Sequence, residues 1–314
     1  MTGRRLTFLI ALLLVPVAIG SASIKAGSAD TSAISAKIVF VNVEQGDGVV
    51  MKIGGQVIVS DAGEHRVESV DATLRSLKAK QIDVAILSHP HDDHVKNFIA
   101  LMKTYGWKIK LAVMSRSAWW QGTKTNRALM KTLAEANVPI RTVRRGDHFD
   151  WGGADWRILS PPPGEFIGGS SQAANASVVY LLRVNGVDAL FTGDIESRVA
   201  KNVAMLLDPA LDEPIEIFLA THHGSKEGSI DELLDVTRPR WAVLSTGRNG
   251  YGHPSVEAIE RLKAAGASIW CTAANGSETA SISTVGKLTW RASLQRAPWW
   301  SAKSHKKMGS CVGR

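Results

Sequence analysis

Between Leu87 and His94 the chain reads Leu-Ser-His-Pro-His-Asp-Asp-His, so His89, His91, Asp93 and His94 bring three imidazoles and a carboxylate into six residues. Imidazole nitrogens and carboxylate oxygens are donors that suit zinc or manganese, and a loop at a strand end can turn side chains two residues apart toward one cation. A solvated polar loop is the plainer alternative. It is disfavoured because four such groups fixed to the end of an apolar strand are costly to desolvate without an ion.

That strand is Asp83-Val-Ala-Ile-Leu87, an apolar run of the kind buried on both faces. Upstream, Lys37 to Val43 reads as a β-branched strand running into the turn at Gln45-Gly46-Asp47-Gly48. Val49–Ile53 and Gln56–Ser60 are joined by Gly54-Gly55, a hairpin signal, and Asn185-Gly186 is a second one between Val178–Val184 and Asp188–Thr192. Val67 to Lys80 has apolar residues at helical spacing, and Val95–Tyr105, Thr125–Ala136 and Val256–Ala265 read as further helices. Strands are expected at 110–114, 140–143, 156–160, 215–220, 241–245, 268–272, 279–283 and 287–290, and the region around His148 as a turn. Two β-rich halves with interleaved helices predict an α/β fold of two sheets packed face to face with helices outside.

The loops that follow strands collect the other chemistry-bearing residues: Gln45, Asp47, Asp61, Asp194, His222 with His223, and His253. One such residue alone would be unremarkable, since Asp194 after Thr192-Gly193 could be only a helix cap. Together they predict a binuclear site.

Composition bounds the rest. At 314 residues, 45% hydrophobic and 21% charged, the chain is an ordinary globular protein rather than a disordered one. Its formal charge of +8 favours polyanions or anionic membranes as partners, and it stays positive without the first 26 residues. Cys271 and Cys311 are too few for a disulfide framework; Cys271 reads as a core residue and Cys311 as part of a loose basic tail, 296–314. Arg4 and Arg5, the apolar stretch Leu6–Gly20 and the small residues after it describe a signal peptide over residues 1–26, with an uncleaved membrane anchor as the alternative. Either predicts a folded part, 37–295, that is exported, periplasmic or secreted, and that touches a membrane only if the leader stays. No stable protein partner is expected.

The spacing His-x-His-x-Asp-His resembles the signature of the metallo-β-lactamase superfamily. Gln45-Gly46-Asp47, Asp61-Ala62-Gly63, Phe191-Thr192-Gly193-Asp194, His222-His223-Gly224-Ser225 and Tyr251-Gly252-His253-Pro254 follow in the order seen in the hydrolase domain of the competence protein ComEC. The resemblance runs from Lys37 to about Trp290 and implies a four-layer αββα sandwich. It also implies two divalent ions, zinc or manganese: His89 and His91 on the first, Asp93 and His94 on the second, Asp194 bridging, and His222 completing the second with His223 as the alternate. The superfamily's usual further histidine on the first ion has no counterpart here, where the corresponding region is Asn175-Ala-Ser177. Asp93 and His253 take the catalytic positions, and Gln45, Asp47, Ser225 and Tyr251 the substrate-binding ones. The implied activity is hydrolysis by water activated between the ions, acting on a phosphodiester and foremost on DNA, with Trp119-Trp120 and Lys124 as candidates for contacting bases. The alternatives are an exported hydrolase of a smaller substrate, such as a phosphorylcholine ester, β-lactam or lactone, and a non-catalytic binding protein.

Overall fold

Strands whose two faces are both apolar must be covered on both sides, and Val84–Leu87 shows how the chain does it. Val84 and Ile86 enter one core while Ala85 and Leu87 enter another, and all four are buried. In the computed structural model, which describes residues 34–115, 123–164, 172–207, 211, 213–294 and 311, this two-sided burial builds the architecture.

The chain first lays down β1 (Ala36–Phe40), β2 (Gly48–Ile53), β3 (Gln56–Ala62), β4 (Val84–Leu87), β5 (Ala112–Met114) and β6 (Ile140–Thr142). It then crosses to β7 (His148–Trp151), β8 (Ala154–Ser160), β9 (Val179–Val184), β10 (Val187–Phe191), β11 (Ile217–Leu219), β12 (Trp241–Leu244) and β13 (Ser268–Cys271). Finally β14 (Glu278–Ile282) and β15 (Leu288–Ala292) return to the first sheet beside β1. Among the described residues the two sheets have the orders β15-β14-β1-β2-β3-β4-β5-β6 and β13-β12-β11-β10-β9-β8-β7. Each sheet is antiparallel at one end and parallel at the other: β3 to β6 run parallel, as do β10 to β13.

Between the sheets lies a core of Phe40, Met51, Ile58 and Ile86 against Trp156, Tyr180, Leu182 and Phe191. The outer face of the first sheet is covered by α1 (Val67–Ser76), α2 (Asp92–Lys103) and α3 (Lys124–Glu135), through Val70, Leu74, Phe98 and Leu129. After the short α4 (Gln172–Asn175), the second sheet is covered by α5 (Ser197–Leu207), α6 (Asp231–Thr237) and α7 (Val256–Ala264), through Val203, Leu233 and Leu262; α8 (Thr272–Asn275) follows β13. The expected four-layer αββα sandwich is therefore present.

Both hairpins form where expected. Asn185 and Gly186 have φ of 49° and 80°, the pair of positive values that a tight hairpin turn between right-twisted strands needs. Several boundaries differ from the sequence reading. The helix after the histidine loop starts at Asp92 rather than Val95, because His91 is extended and two carboxylates in the first turn suit the positive end of a helix. His148 opens strand β7 instead of a turn, exposed and hydrogen-bonded to Asp155. Cys311 is not loose: it forms a disulfide with Cys271 and is buried. Two cysteines separated by 40 residues carried no signal of pairing in the sequence.

Ser32–Arg314 is one compact unit. The leader, Trp119-Trp120 and the tail other than Cys311 lie outside the described residues. No described helix is long and apolar enough to cross a membrane.

Candidate metal centre

Parallel strands point their C-terminal ends the same way, so loops from both sheets meet at one edge of the sandwich. Asp61 ends β3, His89 follows β4, Asp194 follows β10, His223 follows β11 and Ser245 follows β12. Gln45-Gly46-Asp47 joins them from the β1 loop. There Gly46 has φ +122° and lies so close to the Asp93 carbonyl that a Cβ would collide with it, while the Asp47 N–H donates to that carbonyl at 3.1 Å. Glycine is required for that approach.

The side chains gather into two groups that share Asp194. In one, Nε2 of His94 lies 3.2 Å from Nε2 of His223, and Asp194 Oδ1 is 3.2 Å from the first nitrogen and 3.5 Å from the second. Asp93 Oδ2 completes this side at 3.4 Å from His223. In the other, His89 Nε2 is 3.0 Å from His91 Nδ1 and 3.4 Å from Asp194 Oδ2. Asp194 thus turns one oxygen to each group.

Partners behind the rings fix which nitrogen faces the centre. His94 Nδ1 faces Asp61 Oδ2 at 2.9 Å, and His223 Nδ1 faces the Ser245 carbonyl at 3.0 Å. Ser88 donates its hydroxyl to Asp61 at 2.5 Å, leaving its oxygen to accept from His89 Nδ1 at 3.1 Å. With a cation in the centre each ring would keep its proton on the outer nitrogen and turn a lone pair inward, the arrangement of metal-ligating imidazoles. Asp61 itself takes φ +52° to reach both Ser88 and His94.

The residues present fit divalent cations. Asp194 Oδ1 is buried yet makes no aligned hydrogen bond, and Nε2 of His94 and Nε2 of His223 face each other at 3.2 Å, close enough to share one cation. Without cations the protons do their work. Burial opposes charge on His94 and His223, but Asp194 and the neighbouring carboxylates overcome it and hold both rings well above the usual histidine range. Burial likewise raises Asp194 and Asp93, and the charged His94 and His223 pull both below the carboxylate range. His91 goes the other way, pushed down to about 4 by burial and by His89.

The placement differs from the sequence reading at three positions. His223, fully enclosed, belongs to the Asp194 Oδ1 group; His222 stands at the cavity wall with Nε2 3.5 Å from Asp194 Oδ2. The reason is local: both residues are left-handed (φ 51° and 55°), which swings consecutive rings to different sides of Asp194. Asp47 does not face a cavity; its Oδ1 lies 3.3 Å from His223 Nδ1, behind the ring. Ser225 is also buried, with its hydroxyl accepting from the Glu227 N–H.

The cavity over the two groups is about 570 Å³. Gln45, Tyr251 and His253 line it, and so do Thr123, which caps α3, and Arg248, which sequence reasoning passed over. Arg248 sits on a turn built around Asn249. The Asn249 carbonyl oxygen accepts from the Tyr251 and His253 N–H groups, and its amide donates to Gln45, Gly247 and His253 oxygens. Such amide-centred turns carry no motif, though Asn249 four residues before a histidine was the available signal.

An αββα sandwich with two histidine–aspartate groups on one shared carboxylate is a domain built to hold divalent cations where its sheets meet. Residues 41–248 match the model of the Metallo-beta-lactamase superfamily, and the chain belongs to that superfamily, whose members are generally metal-dependent hydrolases. It is 26% identical over 185 residues to ComE operon protein 3 of Bacillus subtilis, covering 59% of this chain and 22% of that one. It is 27% identical over 243 residues to Recombination protein 2 of Haemophilus influenzae, covering 75% and 27%. The chain thus spans about a quarter of the length of these curated relatives. Among solved structures, the metallo-beta-lactamase fold protein YhfI from Bacillus subtilis aligns with 82% of this chain and 99% of its own, at 11% identity and a TM-score of 0.49.

Proposed function

We propose that this chain is a phosphodiesterase that cleaves DNA with the help of two divalent ions, zinc or manganese. The observation that carries the reading is the sharing of Asp194: one oxygen faces His89 and His91, the other His94 and His223. When bound, the ions supply an activated water and stabilise charge on phosphoryl oxygens.

The chain's own groups do the rest. Asp93 is ionised and partly open to the cavity, and accepts a hydrogen bond from the attacking water. His253 is pushed down to about 4 by burial and by His222 and His223, so it meets substrate as a neutral imidazole that donates a hydrogen bond to developing negative charge. Arg248 offers a planar fork to a non-bridging phosphate oxygen, and Tyr251, 75% exposed, a ring face to a base. Relatives named for recombination and competence favour DNA over a smaller ester or a lactam.

The test uses the purified full chain loaded with manganese or zinc, offered bis-p-nitrophenyl phosphate, single-stranded DNA and nitrocefin. Cleavage of the first two is expected, with Asp93→Ala abolishing it and His253→Ala lowering kcat by roughly 10²–10³, the usual cost of losing an oxyanion donor. Turnover of nitrocefin without phosphodiester cleavage would refute the proposal.

A further inference from the structure

The proposed catalytic cavity is poorly charged for its proposed substrate. Among its described lining residues Glu64, Asp92, Asp93 and Asp194 share the wall with a single guanidinium, Arg248, and Lys96 beside the cavity is taken up by Glu64 at 2.7 Å and Asp92 at 3.8 Å. The chain carries a formal charge of +8, much of it in the leader and tail outside the described residues, so the described surface needs a basic strip of its own to attract a polyanion.

A second concavity, about 590 Å³, has the opposite character. Lys37, Lys52, Lys78 and Lys287 line it together with hydroxyls such as Ser76 and Thr289, and its described lining holds no carboxylate. Sheet register explains the clustering. Lys37 on β1 stands directly opposite Lys52 on β2 and opposite Ser281 on β14, and Ser281 stands opposite Thr289 on β15. Two lysines directly opposed across an antiparallel pair repel each other, so this pairing costs stability unless an anion lies over it. Lys52 relieves part of the repulsion by donating to the Leu77 carbonyl at 2.8 Å. Ammonium groups interleaved with serine and threonine hydroxyls are the donors that hold phosphate oxygens.

We propose that this groove binds the phosphodiester backbone of the nucleic acid on which the metal cavity acts, as a separate docking site that supplies most of the affinity for the polymer. The inference rests on the phosphodiesterase reading of the metal cavity. The two sites lie at opposite ends of the same elements: Gln45 beyond β1 lines the cavity and Lys37 at its start lines the groove, while His65 and Lys78 flank α1 in the same way. The ten residues of α1 span about 15 Å at 1.5 Å per residue. A dinucleotide is too short to span the length of α1, whereas a 20-nucleotide strand is long enough.

The experiment measures binding of a fluorescent 20-nucleotide single strand and of a dinucleotide by the full metal-free chain, across a salt series, with a Lys37→Ala/Lys287→Ala variant. Melting temperature checks that the variant folds, and bis-p-nitrophenyl phosphate turnover by the metal-loaded parent tests the cavity separately. The variant is expected to flatten the salt dependence for the 20-mer by about 1.4 in log–log slope, or about 25-fold in affinity between 1 M and 0.1 M salt, at about 0.7 per phosphate contact. Dinucleotide binding is expected to be weak and unaffected. A 20-mer bound equally by parent and variant overturns the docking site, and turnover of the small diester in that case leaves the phosphodiesterase standing. Lysine-dependent binding without turnover does the reverse. Lysine-dependent binding to phosphatidylglycerol vesicles but not to the 20-mer overturns the nucleic-acid assignment.

Discussion

Asp61→Asn asks whether the partners behind the histidines matter as much as the histidines. Asp61 Oδ2 accepts from the Ser88 hydroxyl at 2.5 Å and faces His94 Nδ1 at 2.9 Å, and Oδ1 accepts the Ser88 N–H at 2.9 Å. Asparagine has nearly the same shape, so packing is kept, but one acceptor becomes a donor. If the amide nitrogen takes the Oδ2 position, it opposes His94 Nδ1–H and favours the tautomer whose proton points into the centre. If it takes the other position, it opposes the buried Ser88 N–H. Losing an outer partner of a metal-ligating histidine typically costs 10–100-fold in affinity, or about 1.4–2.7 kcal/mol. The assay is chelator competition with zinc and with manganese, read as ions bound per chain. The loss is expected on the ion held by His94, with the other keeping near-parent affinity. Two ions bound as tightly as in the parent would show that Asp61 does not set the His94 tautomer.

Metal content also separates the adjacent histidines: His223→Ala is expected to lose one of two ions, whereas His222→Ala keeps both, and the opposite result would reverse their assignment. On β14, Glu278 is fully buried with neither carboxylate oxygen hydrogen-bonded, and burial pushes its carboxyl well above the usual range. A folded-state value raised above the unfolded 4.5 means that the chain takes up a proton here on folding, so this group's contribution to stability is present below 4.5 and is lost as pH rises. Glu278→Gln should therefore raise the melting temperature of the metal-free chain more at pH 8 than at pH 5; an equal change at both would remove the argument.

The histidine loop was legible because its ligands are neighbours, and the hairpin at Asn185-Gly186 because turn chemistry is local. The layering followed from apolar runs such as Val84–Leu87, which need cover on both faces. What escaped was set by distant partners. Nothing near Glu278–Ile282 says that it will pair with β1, 238 or more residues upstream in the register, and nothing near Cys271 names Cys311. The role of Asp61 depends on a histidine 33 residues later, and Arg248 gains meaning only once Asn249 is seen to hold its turn. The choice between His222 and His223 depended on two backbone angles that their residue types disfavour.

Those angles have an evolutionary consequence. Left-handed backbone costs an L-residue about 1–2 kcal/mol, and two such residues in succession are tolerated where the surroundings compel them. Glycine at either place would relax the backbone, so screening for heat resistance alone would drift toward it and discard an imidazole. The motif survives only under selection for what its rings do, and its erosion would be an early mark of a descendant that had kept the scaffold and abandoned the chemistry.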